Sequence, residues 1–350
     1  MKSLKQYIVE KLVLTNNTKI RKREYHYHPE TKDELEKIIK ELIKERGDNA
    51  DLNDIDTSEI TDMSSLFSFS HFNGDISGWD VSNVKDMSHM FSSSYKFNGD
   101  ISNWDVSNVT NMSWMFNFSK FDGDISRWDV SNVTDMSGMF NDSHFLGDIS
   151  KWDTSKCKSM IIMFESSSFD GDISKWNVSS VENMGSMFKQ SQFNGDISKW
   201  DVSSVKNMSW MFEESKFNGD ISGWNVSSVE KMTNMFHSSK FNGDISKWNV
   251  GKVTDMSGMF TKSNFTGKHG DISKWDVSNV TDMLCMFGWS KFNGDISEWN
   301  VRNVENMESM FNQSEFNRDI SKWDVTSVKK FDNIFYDCPI KEEYKPKFKK

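Results

Sequence analysis

Apolar and polar residues alternate in this chain with a fixed long period. One tryptophan per unit recurs at Trp79, Trp104, Trp128, Trp152, Trp176, Trp200, Trp224, Trp248, Trp275, Trp299 and Trp323, in steps of 25, six of 24, then 27, 24 and 24. Around each lies the string Phe-Asn-Gly-Asp-Ile-Ser-x-Trp-Asp-Val-Ser-Asn-Val-Thr-Asp-Met-Ser-x-Met-Phe, nearly unmodified from Phe97 to Phe116. Within a unit Ile76, Trp79 and Val81 form a β-prone segment, which predicts a short strand. Val84, Met87, Met90 and Phe91 follow at i, i+3, i+6 and i+7, which predicts a helical or 3-10 turn across from it.

A period near 24 residues is the signature of a repeat solenoid of α/β, leucine-rich-repeat-like class, in which no unit buries its apolar face alone. Asp51 to Met63 aligns with Asp75 to Met87, Ile55 replacing the tryptophan, so twelve units are expected over residues 51–335. Short parallel strands stacked about 4.8 Å apart would pair unit to unit. Upstream, Thr31-Lys-Asp-Glu34 reads as a capping box, and Leu35, Ile38, Ile39, Leu42 and Ile43 run at helical spacing to Gly47. Residues 25–50 are therefore expected to be a helical cap over the first unit, preceded by an arm of weakly amphipathic sequence over 1–24. Residues 336–350 are expected to close the stack at Tyr336–Pro339 and to fray as a lysine-rich tail.

Composition changes this picture little. The chain is 36% hydrophobic with a mean hydropathy of −0.65, which without periodicity would suggest disorder. Its 13% aromatics, held in register, argue for a packed core. Residues 1–50 are net +3 and 336–350 net +2, so the repeats carry −15 of a chain total of −10. Such a surface excludes direct phosphate binding to nucleic acid. Three cysteines at unrelated repeat positions imply no disulfide framework. No apolar run has the length of a signal or a bilayer span, so a cytoplasmic location is expected, with a cell-surface or virion location as the alternative.

Little in the chain suggests catalysis. All methionines but Met1 fall in two columns, as core residues would, and the seven histidines show no HExxH spacing. His26 and His28 flank Tyr27 and read as cap contacts rather than metal ligands. The column from Asp75 to Asp319 requires compensation, since carboxylates stacked about 5 Å apart repel by roughly 3 kcal/mol at an effective dielectric near 20. Backbone N–H donors in the turn, helped by a neighbouring column of Arg127, Lys151 and Lys175, supply it. Calcium between the turns is the sharper alternative, and the lysines disfavour it; no cofactor and no catalytic residue is expected.

Variable positions are where a partner would be read. The x of Met-Ser-x-Met holds Trp114 and Trp210, and the position two beyond the next phenylalanine holds Phe69, Phe118 and Trp289. With His269 in the turn Thr266–Gly270, which is three residues longer than in the other units, these are the candidate partner-binding residues. Trp114 and Phe118, four apart, are expected on one helical turn.

The string Asp-Ile-Ser-x-Trp-Asp-Val-Ser-Asn-Val-Thr-x-Met-Ser-x-Met-Phe resembles the repeat of the BspA-like leucine-rich-repeat surface proteins, including the mycoplasma-lipoprotein branch. The resemblance covers residues 51–335, and Tyr27 to Glu34 resembles the leader found before such repeats. It implies a right-handed coil, a non-enzymatic binding or adhesion role and no catalytic residues. A monomer that binds a protein, with a glycan as the other candidate ligand, is the leading expectation. An acidic mimic of nucleic acid and a structural spacer are the alternatives.

Overall fold

The computed structural model describes residues 24–348. The arm expected over residues 1–24 lies almost wholly outside them. Helix α1, Lys32–Arg46, is the only α-helix among the described residues. Thr31 caps it by accepting from the Glu34 amide, Glu34 Oε2 accepts from the Glu30 amide at 2.9 Å, and Gly47 ends it at φ 86°. Leu35, Ile39 and Leu42 are buried against the first unit. Arg46 forks onto Asp54 at 2.9 and 3.0 Å, and Tyr27 pairs in parallel with Ile55. Through these contacts α1 covers the apolar end of the stack.

From there each coil rests on the next through backbone bonds between residues about 24 apart. Parallel bridges link Asp62 to Asp86, Asp86 to Asn111 and so on to Lys330. They remain isolated bridges, not the extended strands the β-prone segment suggested, and they fall in the column just before the first methionine.

Nor is the methionine segment helical. Amides alternate between two acceptors: Leu66, Ser68 and Ser70 donate within the coil to Met63, Ser65 and Phe67, closing overlapping β-turns. Met63, Ser65, Phe67 and Phe69 donate instead to Asp86, Ser88, Met90 and Ser92 of the next coil, at 2.9 to 3.0 Å. Every second amide thus serves the stack, which a helix would forbid by using each amide internally. The turns place the residue before each return in the left-handed region, Ser65 at φ 62° and Phe69 at φ 58°, and the pattern repeats to Asn333 and Asp337.

The core is a set of ladders. Phe91 stacks on Phe97 within its coil at 4.0 Å and on Phe116 of the next at 5.7 Å. Each tryptophan of the repeat donates its indole N–H to a carbonyl of the preceding coil, Trp104 to Ile76 and Trp176 to Ile149. That bond gives the buried indole N–H its partner, on a carbonyl that also accepts an amide of its own coil, as Ile76 does from Trp79 at 3.1 Å.

Each aspartate of the repeat column accepts the amide of the serine two residues on, as Asp124 does from Ser126 at 2.9 Å. Hydrogen bonds from that serine's hydroxyl and amide hold the Asp124 carboxyl below its ordinary range. At the far end Ile320 donates to Tyr344, Phe348 stacks on Phe331 at 4.7 Å, and Ile340 is buried. The stretch expected to fray is, as far as Phe348, the cover of the last coil.

Candidate binding surface

The left-handed corners decide which side chains are displayed. A side chain at such a corner costs roughly 1–2 kcal/mol relative to glycine unless it is asparagine or aspartate. Gly138, Gly258, Asn234, Asn333, Asp142 and Asp337 occupy corners in keeping with that rule. Phe69, Phe118, Trp114, Trp210 and Trp289 do not.

Two of these aromatics share a site. Phe69 and Phe118 line a shallow depression of about 590 Å³ in the first three coils, together with Tyr95 and His89. Phe69 is 79% exposed, Tyr95 54% and Phe118 43%. The rest of the lining is Ser65, Ser68, Ser92, Ser93 and Asn117, so the aromatic faces stand in a neutral polar rim. Tyr95 was not among the expected residues. Its signal in the sequence is the 25-residue step between Trp79 and Trp104, which inserts one residue into Ser92-Ser-Ser-Tyr95.

Trp114 lies outside that depression. Its ring stacks on His89 at 6.1 Å and 7°, and a Cβ on Gly138 of the next coil would lie 2.3 Å from Trp114 Cε3. Sandwiched between neighbouring coils, it is half-buried, and it shares no helical turn with Phe118. Trp210 and Trp289 are exposed in distant coils; Trp289 has Lys262 Nζ 5.8 Å above its ring. His269 is exposed on the insertion loop. The structure brings together Phe69 and Phe118 alone of the six.

A second feature is polar. Glu165, Lys189, Glu213 and His237 follow one another coil by coil, with Lys189 Nζ 3.1 Å from Glu213 and His237 Nδ1 2.9 Å from it. Burial opposes ionisation of Glu213, but hydrogen bonds from His237 and Lys189 take its carboxyl below the ordinary value. Glu214 adds a third donor, all within 4.8 Å, yet the Lys189 ammonium already supplies the cation. His26 and His28 each face their own aspartate, Asp54 at 3.3 Å and Asp56 at 3.4 Å. Cys157 is fully buried, and burial pushes its thiol up to about 12. No helix among the described residues is long and apolar enough to cross a membrane.

No curated protein and no solved structure matches the chain. A family model described as Mycoplasma protein of unknown function, DUF285, matches residues 36–145, 117–216, 167–269 and 262–343, which takes in most of α1 and the stacked coils and ends just before Tyr344. The chain is a tandem-repeat member of the DUF285 family.

Proposed function

We propose that this protein is a non-enzymatic binding scaffold, a leucine-rich-repeat-like solenoid of the BspA-like kind, that takes a protein partner on the aromatic depression of its first three coils. The observation that carries this reading is the placement of Phe69 and Phe118. Serine holds the same corner in Ser166 and Ser238 without an exposed ring. Placing a phenylalanine there exposes a large apolar face on a backbone that disfavours it, which the fold does not need. Exposed aromatics in a polar rim are the common make-up of an interface hot spot. The side ladders mix signs coil by coil, as in Glu165, Lys189 and Glu213, which favours this reading over a mimic needing one unbroken negative stripe.

The test replaces Phe69 and Phe118 by serine together and compares capture of proteins from the native source at moderate salt. One protein held stoichiometrically by the natural chain and lost by the double variant supports the reading. Equal retention by both chains removes the site.

A further inference from the structure

A different column shows a local departure from the repeat. The residue before the second valine of each coil is asparagine at Asn83, Asn108, Asn132, Asn279 and Asn303. Each of these amides donates to a backbone carbonyl of the preceding coil: Asn83 to Ser58, Asn108 to Ser82, Asn132 to Ser107, Asn279 to Gly251 and Asn303 to Ser278, at 2.7 to 2.9 Å. In five consecutive coils that asparagine is missing, and the column reads Lys156, Ser180, Ser204, Ser228, Lys252.

The consequence is a trench. Serine is too short to reach back, so the side face is hollowed into an open cavity of about 760 Å³ spanning Thr134 to Lys252. The hydroxyls of Ser180, Ser204 and Ser228 line it, and the carbonyls that the asparagines would cover lie along it. Lys156 and Lys252 bracket it four coils apart, about 19 Å at the spacing of stacked strands. Lys158 and Lys206 stand beside Glu182 and Glu230, so four lysines face two glutamates in a chain of net charge −10. Lys206 is paired with Glu182 at 2.7 Å, and Lys158, beyond ion-pair distance, also helps hold the Glu182 carboxyl below its ordinary value.

We infer that this trench binds an acidic polysaccharide chain, of the uronic-acid type, laid along the stack. The lining contains no aromatic side chain and no apolar pocket, so it offers no anchor for a peptide. What it offers is a row of hydroxyls and carbonyls that accept from many hydroxyl donors, with ammonium groups that can pair with carboxylates. A polyuronate carries both groups at regular intervals along its length. The site shares no residue with the aromatic depression, and its test is independent of that reading.

The test restores the repeat. Ser180→Asn, Ser204→Asn and Ser228→Asn together install the residue that five other coils tolerate, filling the trench without disturbing the core. Binding of polygalacturonate is measured by calorimetry beside neutral dextran and poly-glutamate, with the melting curve as a check on folding. The natural chain is expected to bind polygalacturonate at least tenfold more tightly than the triple variant, and more tightly than either other polymer. A second variant, Lys158→Gln with Lys252→Gln, removes charge alone and is expected to lose affinity and its salt dependence together. The inference is overturned by absence of polygalacturonate binding, by equal binding to the triple variant, or by poly-glutamate binding as tightly.

Discussion

Leu146 donates its backbone N–H to Asp122 Oδ1 at 2.7 Å, but its own side chain has no oxygen to pass to the next coil. The same bond runs from Asn98 to Asn73, Asp122 to Asn98, Asn194 to Asp170, Asn218 to Asn194 and Asn242 to Asn218. Leu146 interrupts this ladder and leaves a leucine 62% exposed. Leu146→Asn is therefore expected to stabilise the protein by about 0.5–1.5 kcal/mol, the net value of one hydrogen bond. The measurement is the urea midpoint at unchanged slope. An unchanged or lowered midpoint would show that the ladder adds nothing at this coil.

The tryptophan column carries a related prediction with the opposite sign. Trp176 donates to Ile149 at 3.0 Å and stacks on Trp152 at 6.3 Å. Trp176→Phe keeps most of the apolar volume but leaves the Ile149 carbonyl buried without that donor. The Trp152 amide still donates to that carbonyl at 3.2 Å, so a loss of about 0.5–1.5 kcal/mol is expected from the one hydrogen bond, with the packing change added to it. Chemical denaturation checks it, and a loss below a few tenths of a kcal/mol would mean that the Trp152 amide alone satisfies the carbonyl.

These columns were readable before the structure because a core ladder demands one residue type at one interval, and Trp, Met and Phe announce it. So was α1, whose capping box and terminal glycine are local signals. The coil's own path was not. Val84, Met87, Met90 and Phe91 have helical spacing, but overlapping β-turns with alternate amides turned outward give the same spacing. Gly138, Gly258, Asn234 and Asn333 in the x column were the contrary sign, since a left-handed corner favours those residues. The partnering of Trp114 with His89 and Gly138 depends on contacts between coils, which no single unit's sequence displays. Tyr344 and Phe348 sit in a lysine-rich stretch whose charges masked two residues that pack on the last coil.

Acid sensitivity follows from the aspartate column. Hydrogen bonds from the hydroxyl or amide of Ser150, Ser174 and Ser198 lower the carboxyl groups of Asp148, Asp172 and Asp196 below their ordinary values. A carboxyl lowered on folding adds stability that is fully present above its unfolded pKa, about 3.9, and is lost as the pH falls through the folded value. Stability is thus expected to hold from neutral pH to about 4 and to fall below it. Asparagine makes the same turn bond without titrating, as Asn177 does with the Ser179 amide at 3.1 Å. Replacing Asp148, Asp172 and Asp196 by asparagine should leave the midpoint at pH 7 nearly unchanged and flatten the acid limb. An acid limb as steep as that of the natural chain would assign the sensitivity to other groups, Asp54 beside Arg46 among them.

The corner strain is testable away from any proposed site. Ile162 stands at φ 63°, a conformation in which a β-branched residue is a true outlier, and its side chain is only partly buried. Asn234 and Asn333 occupy the same corner at φ 52° and 56° with a residue that tolerates it. Ile162→Asn relieves about 1–2 kcal/mol of left-handed strain and gives up the contacts of an aliphatic chain that is mostly covered. The two effects oppose and are of similar size, since fully burying an isoleucine side chain is worth about 1.5–3 kcal/mol. A net change of no more than about 1 kcal/mol is expected, well short of the roughly 2–5 kcal/mol that truncating an unstrained core isoleucine costs. Guanidinium unfolding of the single variant decides it: a loss of about 2 kcal/mol or more, on the order of a core truncation, would mean that the corner stores no strain that asparagine relieves.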